Sequence, residues 1–245
     1  MTGSGATLLE RRPGLLILLD PARSDAAGAA TLAQEAAAAG VAGILIGSSF
    51  DGAAQTRTLA RAVKEAAPGL PLALFPGSAM QLTDRVDLIL FLSLISGRNP
   101  QYLIEEHVRA VPWLRDHPVA TLSTAYILID GGRVTSVEAV SQTRPLPADK
   151  PELAAAHALA GRLIGMGAVY LDAGSGAPNP VAPEIIGAVR TAVPHPATLF
   201  VGGGIRTPQQ VAAARLAGAD FVVVGTVLES GARRDLAAFV KAVHA

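Results

Sequence analysis

At 245 residues the chain can bury a full core, and with half its residues hydrophobic and only 16% charged it excludes a disordered protein. Twenty Lys and Arg balance twenty Asp and Glu, leaving no basic footprint for nucleic acid, and the lack of Cys excludes disulfides, thiolate metal sites and a cysteine nucleophile. No apolar run reaches the roughly 18 residues of a membrane span and no signal-peptide pattern opens the chain, so the expectation is a cytoplasmic protein with at most peripheral membrane contact.

After a segment at 1–12 that reads as flexible, short apolar runs alternate with longer Ala-rich amphipathic stretches. The runs GLLILLD (14–20), VAGILIG (41–47), PLALFP (71–76), DLILFLS (87–93), TLSTAYILID (121–130), AVYLD (168–172), ATLFVGG (197–203) and DFVVVG (220–225) predict eight strands. Helices are predicted between them over 25–39, 54–67, 99–116, 152–166, 182–193 and 207–217. Eight strand-helix units averaging about 30 residues fit a single α/β domain, a (β/α)8 TIM barrel whose βα loops carry the active site. An open doubly wound sheet is the alternative. GGRVTSVEAVSQTRPLPADK (131–150) breaks the repeat and predicts a Gly-Gly hairpin and a Pro-punctuated loop, serving as a lid or wall over the site.

Strand tips carry the candidate chemistry. Gly202, Gly203 and Gly204 close strand seven ahead of Thr207 and Pro208, the N-cap and first residue of a helix, where bare amides and the positive helix end suit a phosphate. Gly225 and Thr226 close strand eight beside them. In YLDAGSGAP, Asp172 sits at the tip of strand six, placed to accept a proton from an attacking hydroxyl, with Ser175 as a further phosphate donor. The bland reading of Asp172 is a turn cap. Asp20 after strand one and Ser49 with Asp51 after strand two form a sparse oxygen set of the kind Mg²⁺ uses when substrate phosphates complete its shell, although an Asp-Pro pair such as Asp20-Pro21 also makes an ordinary turn. The five histidines lack metal-ligand spacing and read as surface or packing residues. From 75 to 107 the chain is more apolar than one strand needs. Met80, Leu82, Phe91, Leu94, Ile95, Tyr102 and Ile104 could line a groove for a hydrocarbon chain, or pack a helix or subunit interface.

In order and over nearly the whole chain, LLDPAR, GSS, FPGS, SLISGRNPQYLI, YILIDGG, PADKPELA, YLDAGSGA, VGGGIRTP and VVVGT resemble the geranylgeranylglyceryl phosphate synthase family, including its bacterial branch of polyprenylglyceryl phosphate synthases. The resemblance implies a Mg²⁺-dependent prenyltransferase of phospholipid biosynthesis. Such an enzyme joins sn-glycerol 1-phosphate to geranylgeranyl or a similar polyprenyl diphosphate by an ether bond and releases pyrophosphate. Carried over by motif, the glycerol phosphate site falls on Tyr170, Leu171, Asp172, Ala173, Gly174, Ser175, Gly176, Gly203, Gly204, Gly225 and Thr226, with Asp172 catalytic and Asp20 and Ser49 at the metal. Four positions depart from the commonest family pattern: Asp172 stands for Glu, Thr226 for Asn, Arg23 for Lys and Ser48 for Gly. Apolar helical surfaces point to a homo-oligomer. The alternatives are prenylation of another three-carbon phosphate such as 3-phosphoglycerate, a sugar-phosphate or indole-glycerol-phosphate type barrel, which would call for a strand-tip Lys, and a non-catalytic barrel binding lipid precursors.

Overall fold

A computed structural model describes residues 8–225 and 236–245. Eight parallel strands close into a barrel in sequence order: β1 (Gly14–Leu19), β2 (Gly43–Ile46), β3 (Leu72–Leu74), β4 (Leu88–Leu94), β5 (Thr121–Leu128), β6 (Ala168–Asp172), β7 (Thr198–Gly202) and β8 (Phe221–Val224). β8 pairs with β1 through Gly14↔Phe221 to Ile17↔Val224, which completes the closure and leaves no sheet edge. All eight predicted strands are present: β6 keeps its predicted bounds, β4 is shifted by one residue toward its C-terminal end, and the other six are shorter by a residue or more. The open-sheet alternative is excluded.

Helices α1 (Ala26–Ala39), α2 (Ala53–Ala66), α3 (Glu106–Asp116), α4 (Ser136–Ser141), α5 (Pro151–Leu163), α6 (Pro183–Ala192), α7 (Pro208–Leu216) and α8 (Leu236–Val243) are found among the described residues. Strand alternation divides the core in two. Ile17, Ile44, Ile46, Ile127, Val169, Leu171 and Val201 face outward into the layer beneath the helices. Leu16, Leu45, Leu90, Tyr126, Tyr170, Phe200 and Phe221 face inward and fill the barrel. Among the inward set the rings of Phe75, Tyr170, Phe200 and Phe221 stack in succession, with centroids 4.7, 6.0 and 5.2 Å apart, and this aromatic layer floors the barrel mouth.

Several expectations change. Residues 1–7 lie outside the described set, but Leu8 is buried at the barrel's lower end against Gly43, so the segment read as flexible through residue 12 reaches the core earlier. The helix expected over 99–116 begins as a π-turn at Gln101–Glu105 and carries Pro112 inside its α-helical part. No Gly-Gly hairpin forms at 131–132. Gly132, at φ 88°, turns the chain into α4, and the excursion returns through a parallel bridge between Ile129 and Leu146. The hydrophobic Val137 and Val140 make the short helix worth forming, because both face a cavity at the barrel mouth.

Candidate active site

That cavity opens at the C-terminal ends of the strands and runs outward over β4 and α3. At its base stands Asp172, 8% exposed and pointing inward from the tip of β6. The Tyr126 hydroxyl donates to Asp172 Oδ2 at 2.5 Å, and the Gly174 amide donates to Oδ1 at 2.7 Å. Burial pushes the Asp172 carboxyl above the usual carboxylate range, while these two hydrogen bonds pull it back. Tyr126 and Tyr170 are both pushed well above the usual tyrosine value, by burial first and then by the adjacent Asp172 charge, so both remain protonated donors. The result is a fixed acceptor with an elevated proton affinity, the property wanted of a general base.

The glycines beside it are dictated by close approach. A Cβ on Gly202 would lie 2.5 Å from the Tyr170 hydroxyl. Gly203 and Gly204 have φ 81° and 71°, and a Cβ on Gly203 would lie 2.6 and 2.7 Å from the Gly174 and Ala173 amides. Thr207 caps α7 through a full capping box with Gln210, and Pro208 opens the helix, as the sequence predicts. Arg206 ties the two loops together. Its guanidinium donates to the carbonyls of Gly176, Ala177, Pro178 and Gly204 at 2.6 to 3.1 Å, joining the β6 and β7 loops into one cradle.

Of the residues singled out in the sequence, Tyr170, Asp172, Ser175, Gly176, Gly203, Gly204, Gly225, Asp20 and Ser49 line this one cavity. Leu171 and Ala173 do not: their side chains face the outer core layer, and the Ala173 amide is taken by the Gly202 carbonyl at 3.1 Å. The Gly174 amide is likewise committed to Asp172, so its role is to hold the acid. Thr226 lies outside the described residues. Of the apolar candidates, Leu82, Phe91, Leu94 and Tyr102 line the outward arm, whereas Met80 and Ile104 are exposed and Ile95 packs in the core.

Asp20 and Ser49 face the cavity from the tips of β1 and β2. Asp20 Oδ1 accepts from the Ala22 amide at 2.9 Å, and Oδ2 lies 3.7 Å from Arg23 Nε. The second-strand loop is held from below by the buried Gln81, which donates to the Ser48 and Asp51 carbonyls at 2.9 and 3.3 Å. Among the described residues no three His, Cys, Asp or Glu side chains gather into a metal cage. One carboxylate with nearby hydroxyls fits a cation that keeps waters and is completed by substrate phosphates.

Four residues escaped the sequence reading, three lining the cavity and one supporting its second-strand loop. Arg206 and Arg133 look like ordinary surface cations in the sequence. Gln81 gives no periodic signal. His107, grouped with surface or packing histidines, packs edge-on against Phe91 at 4.3 Å on the groove wall, and burial lowers its pKa. Its place after SGRNPQYLI, within the apolar stretch, was the available clue.

The PcrB family profile matches residues 7–243. The chain belongs to the PcrB family. This PcrB-family chain is 46% identical over 188 residues to the geranylgeranylglyceryl phosphate synthase of Zunongwangia profunda, covering 77% of this chain and 79% of the relative. It is 42% identical over 229 residues to the enzyme of the same name from Cenarchaeum symbiosum, covering 93% and 91%. Its fold superposes with a TM-score of 0.90 on the crystal structure of (S)-3-O-geranylgeranylglyceryl phosphate synthase from Thermoplasma acidophilum, solved in complex with its substrate sn-glycerol 1-phosphate. That match has 29% identity and covers 99% of this chain and 98% of the other.

Replacing Tyr126 by Phe removes one of the two hydrogen bonds that lower the Asp172 pKa. Activity that requires the ionised carboxylate falls as pH drops through that pKa, so the acid limb of kcat/KM against pH should move upward in Tyr126→Phe. An unmoved limb would show that the Tyr126 contact does not tune the base.

Proposed function

We propose that this PcrB-family chain is a prenyltransferase that joins sn-glycerol 1-phosphate to a polyprenyl diphosphate through an ether bond and releases pyrophosphate. One observation carries the reading: the buried acceptor Asp172 stands where a phosphate cradle meets an apolar groove, the two surfaces that a phosphorylated triol and an isoprenoid chain require. The relatives' shared name supports the same acceptor and donor.

In this reading Ser175, Gly176, Gly203, Gly204 and Gly225 seat the acceptor's phosphate, and Asp172 removes the proton as the glycerol C3 oxygen attacks carbon 1 of the prenyl group. The C–O bond to the diphosphate breaks, its electron pair leaves with pyrophosphate, and the new ether bond forms. Allylic cation character develops at carbon 1 during departure. The rings of Phe75, Tyr126 and Tyr170 flank that position and keep water from competing. Asp20 and Ser49 would hold Mg²⁺, which when bound offsets charge on the diphosphate. Holding both substrates in line can contribute several kcal/mol, of order 7 in favourable cases. Leu82, Phe91, Leu94, Tyr102 and Val140 shape the donor groove, and exposed Val108 and Val111 on α3 suit a homo-oligomeric contact. No helix among the described residues is long and apolar enough to cross a membrane.

The test is direct. Incubation with Mg²⁺, either glycerol phosphate enantiomer and diphosphates of different chain length should give an ether product and pyrophosphate with sn-glycerol 1-phosphate. Chelation with EDTA should abolish both, and added Mg²⁺ should restore them. Product formed preferentially from 3-phosphoglycerate would reassign the acceptor. Tight phosphate binding with no turnover would identify a non-catalytic barrel.

A further inference from the structure

The cavity contains carboxylates where phosphate must bind: Asp172 at its base and Asp20 across the mouth. A phosphomonoester dianion placed beside Asp172 meets like charge, and backbone amides offset only partial charge. A full cation at that end would offset the remaining charge. Among the described residues three arginines line the cavity. Arg23 stands beside Asp20 at the opposite, diphosphate end. Arg206 spends its donors on four carbonyls of the cradle wall. Arg133 remains. Among the described residues its only hydrogen bond is one 3.4 Å contact from Nη2 to the Ser175 carbonyl, although a guanidinium carries five donors.

The position of Arg133 is set by backbone packing on both sides. Before it, Gly131 and Gly132 press onto the β6 loop, where a Cβ would lie 2.5 Å from Ala177 Cβ and 2.7 Å from Asn179 Nδ2. After it, the side chain of Thr135, 4% exposed, packs against Gly174. Between these two anchors Arg133 is held over Ser175 and Gly176, with Nη2 3.1 Å from where a Gly176 Cβ would sit. We infer that Arg133, reaching down from the excursion after β5, is the side-chain cation that binds the acceptor's phosphate and closes its cradle. The inference rests on the phosphorylated-acceptor reading above. It gives the irregular 131–150 segment two tasks: Arg133 covers the phosphate, and Val137 and Val140 wall the prenyl groove.

Calorimetric titration of sn-glycerol 1-phosphate, and separately of inorganic pyrophosphate with Mg²⁺, tests this on the full chain. Arg133→Ala should weaken glycerol 1-phosphate binding about tenfold or more, as expected for loss of a charge-assisted contact, and leave pyrophosphate affinity within twofold. Arg133→Lys should fall between. In turnover, the KM for the acceptor should rise with kcat nearly kept. Arg144→Ala, an exposed cation of the same segment outside the cavity, should bind as the unaltered chain does. Undiminished acceptor binding in Arg133→Ala overturns the inference, as does a loss confined to pyrophosphate. Failure of the unaltered chain to bind sn-glycerol 1-phosphate overturns the acceptor reading as well, and so separates the two failures.

Discussion

Asp172→Asn is expected to lower turnover by about 10²- to 10⁴-fold, the usual contribution of a positioned base, while keeping affinity for glycerol phosphate within a few-fold. The same substitution should raise the melting temperature. Burial raises the folded-state pKa of this carboxyl, so its ionised form costs stability once pH passes the unfolded carboxylate value, and the full cost applies above the raised folded value. Asn removes the charge, and with its Oδ1 accepting from the Gly174 amide its Nδ2 donates to the Tyr126 hydroxyl oxygen. The gain should be a few degrees at neutral pH and should shrink as pH falls toward the ordinary carboxylate pKa, where the wild-type acid is protonated as well. Parallel melting curves at pH 4 and pH 7.5 with single-turnover assays measure both effects. An active Asp172→Asn enzyme would remove Asp172 from the chemistry, and a less stable one would show that the buried charge is well solvated by its neighbours.

Gly203→Ala should cost both stability and acceptor binding. At φ 81° an alanine is strained by about 1–2 kcal/mol, and its Cβ would also meet two backbone amides that cannot swing away, along with the Asp172 carboxylate. The expected outcome is a melting temperature lower by about 5 °C and acceptor binding weakened at least 100-fold, read by calorimetry. Gly187→Ala is the control. That glycine lies inside α6, where a Cβ would meet only the Ala217 carbonyl at 3.9 Å, so the substitution should stabilise by about 0.5–1 kcal/mol and leave activity alone. Normal binding by Gly203→Ala would show that the β7 loop tolerates a side chain and does not approach the acid closely.

The barrel was legible because each strand is a short apolar run bounded by turn residues, and parallel strands covered on both faces need little else. Asp172, Asp20 and Gly203 could be read for a related reason: their side chains, or the lack of one, stand at strand ends, where the fold itself aims them into the mouth. Leu171 shows the limit. A motif copied as a continuous string ignores the alternation that turns every second residue of β6 outward. Arg206, Gln81 and Arg133 were hidden for another reason. Each acts through contacts with loops tens of residues away, and no local period records such a contact. The hairpin expected at Gly131-Gly132 failed because two glycines specify a turn but not the element that the turn leads into. The apolar Val137 and Val140, drawn to the groove, decided for a helix.

The Arg206 stitch has a thermodynamic corollary. Since one planar group clasps carbonyls from two separate crossovers, the seat for an incoming anion is rigidified when the polypeptide folds, and docking there should forfeit little motional entropy. Phosphate recognition in this barrel would then behave as lock-and-key, leaving whatever adaptive movement the enzyme uses to the hydrocarbon arm.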